Sequence, residues 1–391
     1  IPATGLVQRI RIEIAPSNPD YVYALAVDAA SGYYGMYSST NAGATWQYTP
    51  AALNILGYDD GFDTGGQGSY DLGFAVDPNN ENKLIVGGIN VWGSIDGGQN
   101  FDPASHWTLY YGPTLHGDIH FIKYQPLTGN VFICSDGGVY RTPVVSTQAW
   151  IDASNGSPWP TLWTGLNDGM QVTSFYRLSS SKTNSGKLMA GAQDNATFFF
   201  DGINWNTTNG GDGMDNIFDP MDDNVHIASS QYGNFAKSYD NGVTYNGVFA
   251  NVNSEVAEWT TPIIADEVQP GTMYIGYANV MKSTDNGDSW TPISNFPSNG
   301  IAFNEISALA VAKANSNIIY AAKRVRYEYS INGSMYNTND GGNTWNDVTL
   351  GLPDSLYFTS VEVNSLNANV AYVTMAGFSA GNKVFKTING G

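Results

Sequence analysis

Ser283-Thr284-Asp285-Asn286-Gly287-Asp288-Ser289-Trp290 is the stretch on which the fold turns. Its spacing returns as Thr338-Asn339-Asp340-Gly341-Gly342-Asn343-Thr344-Trp345 and as Ser238-Tyr239-Asp240-Asn241-Gly242-Val243-Thr244-Tyr245. Looser copies are Ser39-Thr40-Asn41-Ala42-Gly43-Ala44-Thr45-Trp46 and Ser94-Ile95-Asp96-Gly97-Gly98-Gln99-Asn100-Phe101, and Thr387-Ile388-Asn389-Gly390-Gly391 begins another. The shared pattern is Ser/Thr-x-Asp/Asn-x-Gly-x-Ser/Thr-aromatic. Asp or Asn can accept backbone N–H groups within a turn, and Gly supplies the positive φ such a turn needs. The aromatic buries the end of the hairpin against its neighbour. Each box therefore reads as a folded hairpin connector, with Asn41, Asp96, Asp240, Asp285, Asp340 and Asn389 at its centre.

Ahead of each box stand two apolar, alternating segments joined by a Pro- or Asn-containing turn, as in Ile10 to Tyr23, Leu72 to Val86 and Ile119 to Ile133. Alternation of this kind marks half-buried strands. Each unit then reads strand–turn–strand–strand–box–strand, a four-stranded antiparallel meander. Between positions 41 and 389 there is room for seven steps of roughly fifty residues, with degenerate boxes near Thr142–Trp150 and Asp201–Trp205. No helical period competes. Radially repeated four-stranded sheets make a β-propeller: an all-β chain of about eight blades, within a range of seven to ten. The repeats run roughly 1–60, 61–112, 113–165, 166–209, 210–257, 258–303, 304–356 and 357–391. They are taken as a single propeller, the last repeat incomplete, so that the chain reads as part of a longer protein.

Composition agrees. The 391 residues carry 35 acidic and 16 basic side chains, a net charge of −19, with 44 Gly and 13% aromatics. A field this negative repels polyanions, so nucleic acid is not an expected partner. No apolar run reaches the ~18 residues of a membrane helix, and the single Cys134 has no internal disulfide partner. Cys134 lies in an apolar, strand-like stretch and reads as a buried, inert thiol. The acidic, Cys-poor and Lys-poor surface suits a secreted or bacterial cell-surface protein, although composition by itself leaves a cytoplasmic setting open.

The boxes resemble the Asp-box (BNR) repeats of sialidases, xyloglucanase-type glycoside hydrolases and sortilin-type receptor propellers. The segments Asp118-Ile119-His120, Ser135-Asp136-Gly137-Gly138-Val139-Tyr140-Arg141, Ala192-Gln193-Asp194-Asn195 and Gly210-Gly211-Asp212-Gly213 resemble sortilin-like propellers of large secreted bacterial proteins. That resemblance implies a secreted setting and partner proteins for secretion or the cell surface. It leaves activity open, because Asp boxes lie away from the catalytic face in the enzymes that carry them.

Chemistry is expected where the first strands of the blades begin. Eight positions before Pro126 stands Asp118, eight before Pro220 stands Asp212, and eight before Lys313 stands Glu305; Asp71 lies seven before Pro78. Carboxylates at one repeat position could form the acid pair of a glycoside hydrolase, hold a cation such as calcium, or simply face a wet channel. At the boxes themselves the ligand ladder of an EF-hand is missing. No cofactor is required by any motif. His120 could share a strand face with Asp118. Asp194 and Asn195 lie in a Gly-flanked loop and serve either ligand or turn. Trp159 and Trp163, with the aromatic loops Trp150 to Trp163, Ser31 to Tyr37 and Trp107 to Tyr111, offer faces for sugar rings or protein hot spots. Sialidase chemistry is disfavoured, since only six Arg are present and no Arg-Ile-Pro-like segment opens the chain. Two readings of function remain: a binding or scaffolding module for carbohydrate or protein, and a polysaccharide-cleaving glycoside hydrolase.

Overall fold

Val7–Ile14 alternates half-buried and exposed along its length, whereas the next strand, Val22–Asp28, is buried at five consecutive positions. The difference is positional: the second strand lies between two neighbours and under the adjoining sheet. Tyr33–Ser39 and Gln47–Pro50 complete an antiparallel meander in chain order, with Ile10 opposite Ala26 and Leu25 opposite Met36. The computed structural model describes residues 5–108, 115–143, 163–247, 257–297, 304–378 and 380–391, and the same meander recurs throughout. Among the described residues there are eight sheets, seven of four strands and the last of three. Their first strands are Val7–Ile14, Gly73–Asp77, Ile119–Tyr124, Phe175–Ser180, Asn216–Phe218, Ile263–Ala265, Ile306–Val311 and Tyr357–Val363. The described residues contain no α-helix, only two 3-10 turns at Gln231–Gly233 and Tyr327–Tyr329. The fold is an all-β propeller type with about eight blades, as the spacing predicts.

The chain divides into two compact units, Ile1–Gln171 with three sheets and Val172–Gly391 with five. Within each unit the first strand of one sheet packs beside the first strand of the next. Apolar side chains fill the gaps between sheets: Leu25, Val27 and Met36 of the first sheet meet Phe74, Val86 and Trp92 of the second.

The boxes close the hairpins as their residue types require. Ser283 Oγ donates to Asp285 Oδ1 at 2.7 Å, and Asp285 Oδ1 accepts the Ser289 N–H at 2.9 Å. Gly287 N–H returns to Ser283 Oγ at 2.8 Å. Two residues in succession take positive φ, Asn286 at 60° and Gly287 at 88°. Asn41 does the same work with an amide, its Oδ1 accepting the Thr45 N–H at 2.8 Å. Trp290 is 5% exposed, packed on Ile227, Phe235 and Met273. Burying such a ring removes ~150–250 Å² from water, an upper bound of ~4–6 kcal/mol at ~25 cal/mol per Å².

Two expectations are corrected. Ser31 to Tyr37 is not an aromatic loop: from Tyr33 onward it is a strand paired with Val22–Asp28, and Tyr33 and Met36 lie in the core. Cys134 is half-buried rather than enclosed, on the face of Val131–Ser135 turned from the apolar cluster that takes Val131 and Ile133.

Candidate functional site

In the first unit, Asp71 stands two residues before Gly73–Asp77 and Asp118 immediately before Ile119–Tyr124. Asp71 is fully buried, and neither of its carboxylate oxygens has a hydrogen-bond donor. Burial, then the charge on Asp118, pushes its pKa up to about 8, as expected for adjacent carboxyls in a dry site. At neutral pH burial and the Asp118 charge therefore favour the protonated form of Asp71. Burial and the neighbouring Asp136 raise Asp118 as well. Asp118 holds a left-handed backbone, φ 63°, which turns its side chain out of the strand pleat, and Gln67 Nε2 donates to its Oδ1 at 2.8 Å.

His120 is hydrogen-bonded to Asp136 (Nε2 to Oδ1, 2.7 Å), not to Asp118. The expected Asp118–His120 strand pair fails because Asp118 lies in the turn before the strand. Asp136 sits in the hairpin between Val131–Ser135 and Gly138–Thr142, and the next residue must be Gly: a Cβ on Gly137 would lie 2.3 Å from the His116 ring. Tyr70 meets the His120 ring edge-on at 5.0 Å. Trp107 donates from Nε1 to the Tyr58 carbonyl at 2.8 Å, and a Cβ on Gly117 would lie 3.4 Å from Trp107 Cβ. Tyr58, Tyr70 and Trp107 are 45%, 60% and 48% exposed. Exposed aromatic side chains thus stand near both ends of this cluster, Trp107 and Tyr58 by Gly117 and Tyr70 by the His120–Asp136 pair.

In the second unit the other two candidate acids are tied up internally. Asp212 Oδ1 accepts the Asp194 N–H at 2.7 Å, and Gln231 donates to Oδ2. Asp194 has φ 58°, and Asn195 Nδ2 returns to the Gln193 carbonyl at 3.0 Å, so this loop is a hydrogen-bonded turn. Glu305, 2% exposed, is ion-paired with Arg326, whose Nε lies 3.2 Å from Oε2. Counting back from the turn residue also picked the wrong residue in the fifth sheet. Asp215, not Asp212, directly precedes Asn216–Phe218, because that strand has three residues where Ile119–Tyr124 has six. Burial raises Asp215 to about 6, with Arg177 opposing. Glu258, 4% exposed, accepts from Arg324 at 2.5 Å, and the Arg324 guanidinium lies 5.3 Å from the Tyr357 ring centre. Sequence reading missed this network, although Arg324 and Arg326 lie two apart and so project to one side of the chain beyond Ile319–Lys323. Trp163 packs on the third sheet, its Nε1 reaching the Ala104 carbonyl at 3.4 Å. Trp159 lies outside the described residues. Among those residues no three His, Cys, Asp or Glu side chains are arranged to hold a metal ion.

The sequence matches no family model, and no curated protein matches it. Among solved structures it is similar to a Niastella koreensis GH74 enzyme at 16% identity, with 99% of this chain and 65% of that chain covered and a TM-score of 0.30. It is similar to YCF48 from Cyanidioschyzon merolae at 13% identity, covering 99% of this chain and 97% of that one, with a TM-score of 0.34. It is also similar to the extracellular domain of a putative hybrid two-component system from B. thetaiotaomicron at 12% identity, covering 95% and 58%, with a TM-score of 0.39. The chain spans about two thirds of the GH74 enzyme's length. Likeness at this level carries no conclusion about activity.

Proposed function

We propose that this chain is a carbohydrate-binding propeller module of a secreted or cell-surface protein. Its ligand lies on the first unit, across Tyr58, Tyr70 and Trp107, with Gln67, Asp118 and the His120–Asp136 pair holding hydroxyl groups. Flat aromatic faces beside hydrogen-bonding side chains suit a sugar ring, whose faces are apolar and whose rim is polar. The box hydrogen bonds support an Asp-box kinship, and with the acidic, Cys-poor composition that kinship supports an extracellular setting and secretion or surface partners.

The burial of Asp71, neither of whose carboxylate oxygens reaches the surface, carries the choice of binding over hydrolysis. A glycosidase separates its carboxyls by ~5–5.5 Å or ~6.5–9.5 Å. Asp71 has no exposed carboxylate oxygen with which to serve as a second acid beside Asp118. Glu305 is neutralised by Arg326, and Asp212 is held by Gln231 and the Asp194 N–H. No cofactor is called for, and calcium would need ligands beyond the arrangement described.

Calorimetric titration with xyloglucan and β-glucan oligosaccharides tests the reading. Saturable binding is expected, weakened at least tenfold by Trp107→Ala. Equal affinity for the variant, or no binding at millimolar ligand, rejects this surface.

A further inference from the structure

In the second unit the buried carboxylates Glu305 and Glu258 each meet a guanidinium, Arg326 and Arg324. Asp71 of the first unit is just as deeply buried and meets none. Among the described residues neither of its carboxylate oxygens has a donor, and no Lys or Arg is ion-paired with Asp71 or Asp118.

The charges around this pair are mostly of one sign. After burial itself, Asp118 and then Asp136 oppose the ionisation of Asp71. Burial and Asp136 oppose that of Asp118, with His116 and His120 acting the other way. Gln67 gives Asp118 an amide and no charge, and the Nε2 of His120 is engaged with Asp136. A buried carboxylate without a cation is among the costliest groups a fold can hold. A cation at Asp118 relieves the repulsion that keeps Asp71 protonated.

The kind of cation follows from the donor set. No three His, Cys, Asp or Glu side chains among the described residues are arranged to chelate a metal ion. An ammonium group needs no coordination sphere: it donates separate hydrogen bonds to carboxylates and gains from a nearby aromatic face. Asp118 is half-buried and the Asp136 side chain is 17% exposed, so both can be reached from solvent. Tyr70 is exposed beside them, edge-on to His120 at 5.0 Å.

We propose that the ligand of the first unit is an amino sugar. Its ammonium group donates to Asp118, Asp136 supplies the second negative charge, and the sugar ring lies against Tyr70. This rests on the carbohydrate reading of the same surface and narrows it to a cationic sugar. Uronates and other acidic sugars are disfavoured by the same charges.

Calorimetric titration of the full chain with β-linked tetramers of glucosamine, N-acetylglucosamine and glucose tests the proposal. The glucosamine tetramer is expected to bind about tenfold more tightly than the two neutral ones, an advantage that shrinks as salt is raised. Asp118→Asn, whose side chain tolerates the left-handed backbone at this position, brings the three affinities together. Equal affinity of the parent protein for all three tetramers overturns the proposal and leaves the carbohydrate reading standing. Failure of all three to bind at millimolar concentration rejects both. A lysine tetramer bound as tightly as the glucosamine tetramer also overturns the proposal, since the surface then takes any polycation.

Discussion

Asp71 concentrates the electrostatics of the first unit in one side chain. Its folded pKa of about 8 lies far above that of an exposed carboxyl, because burial and Asp118 both oppose its ionisation. The folded state therefore keeps a proton that the unfolded chain has lost, and stability declines as pH rises from about 4 through about 8. Replacing Asp71 with Asn removes the titration while keeping a donor toward Asp118. Denaturant midpoints measured from pH 5 to pH 9 should fall with pH in the parent protein and stay nearly level in Asp71→Asn, which is the more stable of the two at pH 8. Parallel curves would mean that Asp71 is ionised in the fold. Gly191 is a residue-scale constraint of another kind: a Cβ there would lie 1.9 Å from the Met214 carbonyl oxygen. Gly191→Ala should destabilise the second unit severely, with the loss read as a lowered thermal midpoint of that unit.

At the scale of the element, the box was fully legible in sequence, because its bonds are local and each residue type has one job. Asp240, Asp285 and Asp340 are held down to about 2, chiefly by the Thr244, Ser289 and Thr344 hydroxyls. Depressed carboxyl pKa values add stability above about pH 4 that is lost as pH falls toward 2. Asn41 shows that an amide can serve at this position. Asp285→Asn should therefore fold normally and lose part of the acid sensitivity, while Asp285→Ala should lower the thermal midpoint by several degrees at neutral pH. Strand length was less legible. Asn216–Phe218 has half the residues of Ile119–Tyr124, and that difference shifted the strand-start position from the expected Asp212 to Asp215. Pairings set by tertiary approach were invisible for the same reason. His120–Asp136, Glu258–Arg324 and Glu305–Arg326 join residues 16, 66 and 21 positions apart, and no local pattern encodes them.

For the whole molecule, low charge density, many Gly and repeated boxes specify small antiparallel sheets, eight of them among the described residues. The net charge of −19 predicts no retention on heparin at physiological salt, and retention there would show a basic patch that the sequence does not advertise. The central claim is that the first unit binds sugar and does not cut it. Incubation of the full chain with xyloglucan, β-glucans and sialosides, with binding and release of reducing ends followed in the same samples, tests this most directly. The account predicts binding lost in Trp107→Ala and no release of reducing ends above background. Release abolished by Asp118→Asn or Asp212→Asn would contradict it.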